Sequence, residues 1–152
     1  MTEIKLGQEL VVENLYSIRS KMAQSELQSL GKKAEEIVKS FGATPKGSPI
    51  TATFAMEGDK IDVELLFPID KEIPAKDGFV FKKMLKITNA AVAGYKGHPS
   101  GFQSACNDLN QYISEHQLQP ITVGYNVTKK TDMLNLENTE IEVYVGINPN
   151  IL

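Results

Sequence analysis

The chain has no tryptophan, one cysteine and two histidines in 152 residues, and each scarcity removes a class of function. A lone Cys106 cannot close an intramolecular disulfide, so the fold must rest on its core. His98 and His116 stand apart from any cysteine or carboxylate grouping at zinc-ligand spacing, and no metal or cofactor is expected. The net charge is −3. There is no basic run and no interleaving of aromatic with basic residues, which disfavours nucleic acid as a partner. No apolar stretch approaches the ~20 residues that cross a bilayer. Met1-Thr2-Glu3-Ile4-Lys5 lacks the charged-then-apolar build of a signal peptide, so a cytoplasmic protein without membrane contact is expected. A phosphate-binding glycine loop, a nucleophile elbow and a nucleophile–histidine–acid set are also missing.

What the chain does have is an internal repeat of about seventy-five residues, the kind of signal to seek first. In residues 25–41 the apolar and small positions are Leu27, Leu30, Gly31, Ala34, Ile37, Val38 and Phe41. In 100–116 they are Phe102, Ala105, Cys106, Leu109, Tyr112, Ile113 and His116. Steps of three and four residues draw one apolar stripe on each helix. Ser25 and Ser100 stand where an N-cap hydroxyl is expected. Cys106 lies on its stripe, where a thiol acts as a small hydrophobe. Farther on, Val63-Glu64-Leu65-Leu66-Phe67-Pro68-Ile69 matches Ile141-Glu142-Val143-Tyr144-Val145-Gly146-Ile147 in register.

The order of elements follows. Residues 4–22 read as a long strand, 25–41 as a helix stopped by Gly42, and Ile50 to Met56 and Ile61 to Phe67 as a hairpin turning at Gly58-Asp59. Residues 70–78 are polar, with a proline and a glycine, and form the connector between repeat 1 (1–69) and repeat 2 (79–152) of a single domain. The second repeat then gives strands at 79–95, 121–128 and 139–147 around its helix. Its hairpin connection, Lys129 to Asn138, is longer and is a place for a lid or a partner contact. The expected fold is α+β: two β-α-β-β units forming one mostly antiparallel sheet with both helices on one face. Alternation along the strands sends Val63, Leu65, Phe67, Ile141, Val143 and Val145 toward the helices, and Glu64, Leu66, Glu142 and Tyr144 to the opposite face.

The β-α-β-β duplication, Tyr95-Lys96-Gly97-His98-Pro99 entering the second helix, Pro120-Ile121-Thr122-Val123-Gly124-Tyr125 after it and the closing Ile141-Glu142-Val143-Tyr144-Val145-Gly146-Ile147 resemble the GyrI-like effector-binding domains, relatives of the SOUL haem-binding proteins. The resemblance spans nearly the whole chain. It departs at Gly146, where a proline is common in that family, while Pro68 keeps the proline in the first repeat. The resemblance implies a groove between the pseudo-symmetric halves that takes a small hydrophobic or cationic molecule. Glu142 matches the glutamate that meets the ligand's charge, and Tyr144, Tyr125, Tyr95 and Phe54 are placed near it, with Glu64 as its counterpart in the first repeat. A carboxylate among aromatic rings attracts a cation by charge and by cation–π contact. The leading expectation is a stand-alone ligand-binding module. The alternative is an adaptor that docks a protein partner, of the kind associated with type VII secretion or toxin clusters, and the third option is a small-molecule hydrolase using Glu142 with Tyr125 or Tyr144.

Overall fold

The computed structural model describes residues 2–131 and 134–150. Asp132 and Met133, inside the long second hairpin connection, lie outside the described residues. The strands are β1 (Thr2–Ala23), β2 (Ile50–Glu57), β3 (Lys60–Pro68), β4 (Val80–Lys96), β5 (Tyr125–Lys130) and β6 (Glu140–Gly146). Two helices, α1 (Leu27–Ser40) and α2 (Phe102–Glu115), follow β1 and β4. The α+β class and the duplicated order are as expected. Among the described residues no helix is long and apolar enough to cross a membrane. The contacts gather into two compact units, Val11–Leu85 and Met1–Leu10 with Lys86–Leu152.

In the unit Val11–Leu85, β3 is the central strand, antiparallel to both β1 and β2. The β2–β3 hairpin turns at Gly58, whose φ of 62° suits the tight turn read from sequence. Ala34, Ile37 and Val38 of α1 are buried in a cluster with Tyr16, Ile69, Ile73 and Phe79, and Phe67 packs against it. Val63 and Leu65 join Met22, with Leu27 and Leu30 packed alongside. All three β3 residues expected to face the helix therefore do so. Tyr16 stacks on Phe79 with ring centroids 5.4 Å apart and donates its hydroxyl to the Pro74 carbonyl at 2.8 Å. Those contacts and buried Ile73 anchor the 70–78 connector to the core.

In the other unit β6 is central, antiparallel to β4 and β5. Val143, Val145 and Ile147 bury against Leu109 and Ile113 of α2, with Phe102 and Cys106 packed on the cluster. Ile141, expected on the same face, is half-buried and lines a cleft at the strand end. The fifth strand starts later than expected, at Tyr125 rather than Ile121. Pro120 makes an isolated bridge to Ile147, and Thr122 accepts the Gly146 amide through its side-chain oxygen at 2.8 Å. A side chain thus substitutes there for a ladder carbonyl, and regular pairing waits until Tyr125.

The duplication persists in backbone detail that sequence patterning could not reach. The amides of Phe41, Gly42 and Ala43 bond Ile37, Lys39 and Val38, as those of His116, Gln117 and Leu118 bond Tyr112, Ser114 and Ile113. Ile69 bonds the Asn14 carbonyl as Ile147 bonds that of Asn89. The helix starts differ from the serine caps expected. Ser25 lies inside a short 3-10 turn, Gln24–Glu26, and Glu26 at the N-cap of α1 makes no side-chain capping bond. Before α2 the capping acceptor is His98 Nδ1, which takes the Ser100 amide at 3.1 Å. The 3-10 lead-in moves each serine past the position from which its hydroxyl could cap.

Both helices end on a left-handed residue, Gly42 at φ 75° in α1 and Gln117 at φ 54° in α2. An L side chain there costs roughly 1–2 kcal/mol, whereas glycine pays only its extra unfolded-state entropy. A Cβ on Gly42 would meet only Lys71 Nζ, at 3.5 Å, so its substitution is opposed by backbone conformation rather than by space. Urea unfolding should show Gly42→Ala losing about 1 kcal/mol and Gln117→Gly gaining up to about 1 kcal/mol. Equal and opposite failure of both signs would mean that the caps do not carry this strain.

Candidate functional site

Side-chain alternation along β6 places Glu142 and Tyr144 on the face that α2 leaves uncovered. Tyr144 lies directly opposite Tyr125 in the β5–β6 register, and Glu142 lies between Val127 on β5 and Gly94 on β4. Glu142, Tyr144 and Tyr125 therefore share one face of the sheet. The missing side chain at Gly94 leaves the carboxylate open on the β4 side, where a Cβ would meet only the Glu3 backbone oxygen, at 3.8 Å.

Tyr144 donates its hydroxyl hydrogen to Glu142 Oε1 at 2.8 Å, and Lys129 Nζ approaches the same oxygen at 3.3 Å. Glu142 keeps a third of its side chain exposed. It forms one wall of a cleft of about 340 Å³ with Glu3, Tyr95, Lys96, Lys129 and Glu140. Glu3 is already paired with Lys5 at 3.8 Å. Burial, followed by the hydrogen bond to Glu142 and its negative charge, pushes the Tyr144 phenol up to about 12. The phenol is therefore a fixed neutral donor at any physiological pH, and its proton is already committed to Glu142. That arrangement suits holding a carboxylate in place better than passing a proton to a substrate.

The other named residues fall elsewhere. Tyr95 pairs with Ile141, so it stands on the face opposite Glu142, edge-on to Phe102 with ring centroids 6.0 Å apart. Its hydroxyl donates to the His98 carbonyl at 2.6 Å, close over Gly101, where any Cβ would collide with it. Tyr95 thus reaches the cleft only from its rim. Phe54 and Glu64 belong to the unit Val11–Leu85. Phe54 lies under the Arg19 guanidinium, 3.8 Å from ring centroid to Cζ, while Arg19 also pairs with Asp62 at 3.2 Å and holds that carboxyl below its ordinary range.

Glu64 is buried, accepts the Ser17 hydroxyl at 2.7 Å and is ion-paired with Lys82. The two glutamates, equivalent in sequence, are thus held differently: Glu64 by a buried serine and a lysine of β4, Glu142 by a tyrosine and a lysine of β5. Ser17, Lys82 and Lys129 are the site residues that sequence reasoning missed. Only Lys129 carried a signal, because it falls two residues after Val127, the position opposite Glu142. Among the described residues no three His, Cys, Asp or Glu side chains gather as a metal site. Burial pushes the Cys106 thiol up, away from a reactive thiolate.

No protein-family model matches the chain, and no curated protein matches it. Solved structures do. The EcmrR C-terminal domain matches with a TM-score of 0.78 at 16% identity, over 97% of this chain and 97% of that domain. EcmrR in its complex with DNA matches with a TM-score of 0.81 at 16% identity, the chain spanning 57% of its length. SAV2435 bound to tetraphenylphosphonium matches with a TM-score of 0.59 at 10% identity, over 97% of this chain and 94% of that one. A hydrolase from Listeria innocua matches with a TM-score of 0.56 at 12% identity, over 97% of this chain and 91% of that one. At these identities the likeness is one of fold.

The Tyr144–Glu142 bond gives a direct test. Relative to the ordinary tyrosine value of 10, a folded-state value near 12 means that the native state holds a proton the unfolded state has lost. This contribution to stability is present below pH 10 and lost as pH rises through 12. In Tyr144→Phe the most alkaline step of the phenolate absorbance titration should vanish. Stability at neutral pH should fall by about 1 kcal/mol or more, the worth of a hydrogen bond to a charged group. An unchanged titration would show that Tyr144 is not the perturbed phenol.

Proposed function

We propose that this chain, whose fold is that of the GyrI-like effector-binding domains, is a ligand-binding module that takes lipophilic cations, with Glu142 as the counter-charge. The observation that carries the reading is the state of Glu142. Its carboxylate is partly exposed on a cleft wall, is oriented by Tyr144, and has an exposed lysine as its internal cation. The fold likeness to SAV2435, seen with tetraphenylphosphonium bound, supports the ligand class.

Lys129 makes the exchange favourable. An ammonium is compact and strongly hydrated, so leaving Glu142 for water costs it little. A cation whose charge is wrapped in aryl groups has little hydration to lose, and in the cleft it gains apolar contact with Ile141 and cation–π contact with Tyr95 at the rim. Lys129 would then act as a placeholder, keeping the half-buried carboxylate neutralised until a better cation arrives. Screening by salt should weaken the charge component.

Calorimetric titration with tetraphenylphosphonium is the test. Wild-type protein should bind it, and should bind neutral triphenylphosphine oxide more weakly. Glu142→Gln should cut cation affinity roughly tenfold, while Lys129→Met, by removing the competitor, should raise it by up to about fivefold, the scale of a partly exposed ion pair. Equal affinity for the neutral compound, or indifference to Glu142→Gln, would end the charge-reading proposal.

A further inference from the structure

The two helices are copies, and they differ where they face their sheets. At matched positions α1 has Leu27, Gly31 and Ala34 where α2 has Phe102, Cys106 and Leu109, and Gly47 stands where the second repeat has Thr122. In the second repeat the larger side chains are used. Leu109 is buried, and Phe102 and Cys106 pack on the same cluster. In the first repeat the smaller ones leave a cleft of about 640 Å³, walled by Leu27, Ala34, Val38, Pro45, Leu65 and Phe67. A Cβ added at Gly31 would meet nothing within 4 Å. The volume lies within the range of about 300–1,000 Å³ usual for small-molecule sites.

The rim decides what chemistry fits. It carries Gln28, Lys32 and Glu35. Glu35 is neutralised within its own helix by Lys39 at 2.8 Å. Among the described residues Lys32 has no ion pair or hydrogen bond, so one unmatched positive charge stands over an apolar floor. We infer that this cleft binds a free long-chain fatty acid, its hydrocarbon lying along the flank of α1 against Leu27, Gly31, Pro45, Pro49 and Phe67 and its carboxylate meeting the Lys32 ammonium. The inference is independent of the Glu142 site, which belongs to the other unit.

Displacement of the fluorescent fatty acid cis-parinarate from purified protein tests it. Wild-type protein should enhance the fluorescence, and saturated carboxylates of increasing length should compete. Each added methylene should strengthen binding about fourfold until the cleft is full, after which the gain stops. Gly31→Leu should weaken binding at least tenfold without lowering the melting temperature, since leucine is a far better helix former than glycine. Lys32→Gln, at an exposed position, should weaken the carboxylate about fivefold and leave the methyl ester of the same chain unaffected. Glu142→Gln, which weakens the phosphonium at the other site, should leave the cis-parinarate titration as in wild type. No fluorescence gain with wild-type protein, Gly31→Leu binding like wild type, or loss of binding in Glu142→Gln would each overturn the assignment.

Discussion

The period of two along β3 and β6 is the constraint on which the rest depends. A strand cannot present two consecutive residues to the same face. Because Val143 and Val145 are drawn onto α2 by burial, Glu142 and Tyr144 must turn to the other side, and the same holds for Glu64 and Leu66 once Val63, Leu65 and Phe67 meet α1. The carboxylate is therefore placed by the hydrophobic effect acting on its neighbours rather than by any preference of its own. A one-residue slip in register would exchange core and site.

The duplication works as an internal control on that placement. The capping bonds after both helices and the bonds to Asn14 and Asn89 recur in both repeats, so the frame has been kept. Differences then stand out against it. Arg19 lies opposite Glu64 where Gly94 lies opposite Glu142. Glu64 is enclosed by Ser17 and Lys82, while Glu142 keeps a third of its surface and a looser lysine. One copy has settled its charge internally, and the other holds it at a cleft wall. On the helix side the difference runs the other way: Phe102 and Cys106 pack on the α2 cluster, whereas a cleft runs along the flank of α1 beside its buried residues.

Much of the fold was legible because it follows from short-range rules. Apolar spacing located both helices, alternation located the strands, and Gly58-Asp59 marked the hairpin. The serine caps failed because a 3-10 lead-in before each helix carries the serine inside the turn and away from the capping position. The late start of β5 failed for a related reason, since Thr122 spends its hydroxyl on the Gly146 amide. Along β6, periodicity put Glu142 and Tyr144 on one face. Tyr125 and Tyr95 came only with the family resemblance, and strand pairing decides them: Tyr125 lies opposite Tyr144 and shares the face, whereas Tyr95 lies opposite Ile141 and does not.

The amino-acid sequence alone determined the α+β class, the repeat and the faces of the alternating residues along β3 and β6, since these depend on contacts between near neighbours and on patterns that recur every two or three to four residues. Tertiary structure alone decided which partner each charge acquired: Lys82 and Ser17 for Glu64, Lys129 and Tyr144 for Glu142, and Arg19 for Phe54. Most of these pairs join residues from different strands. Their meeting is set by strand register and by the reach of long side chains, quantities that hydrophobic patterning does not encode.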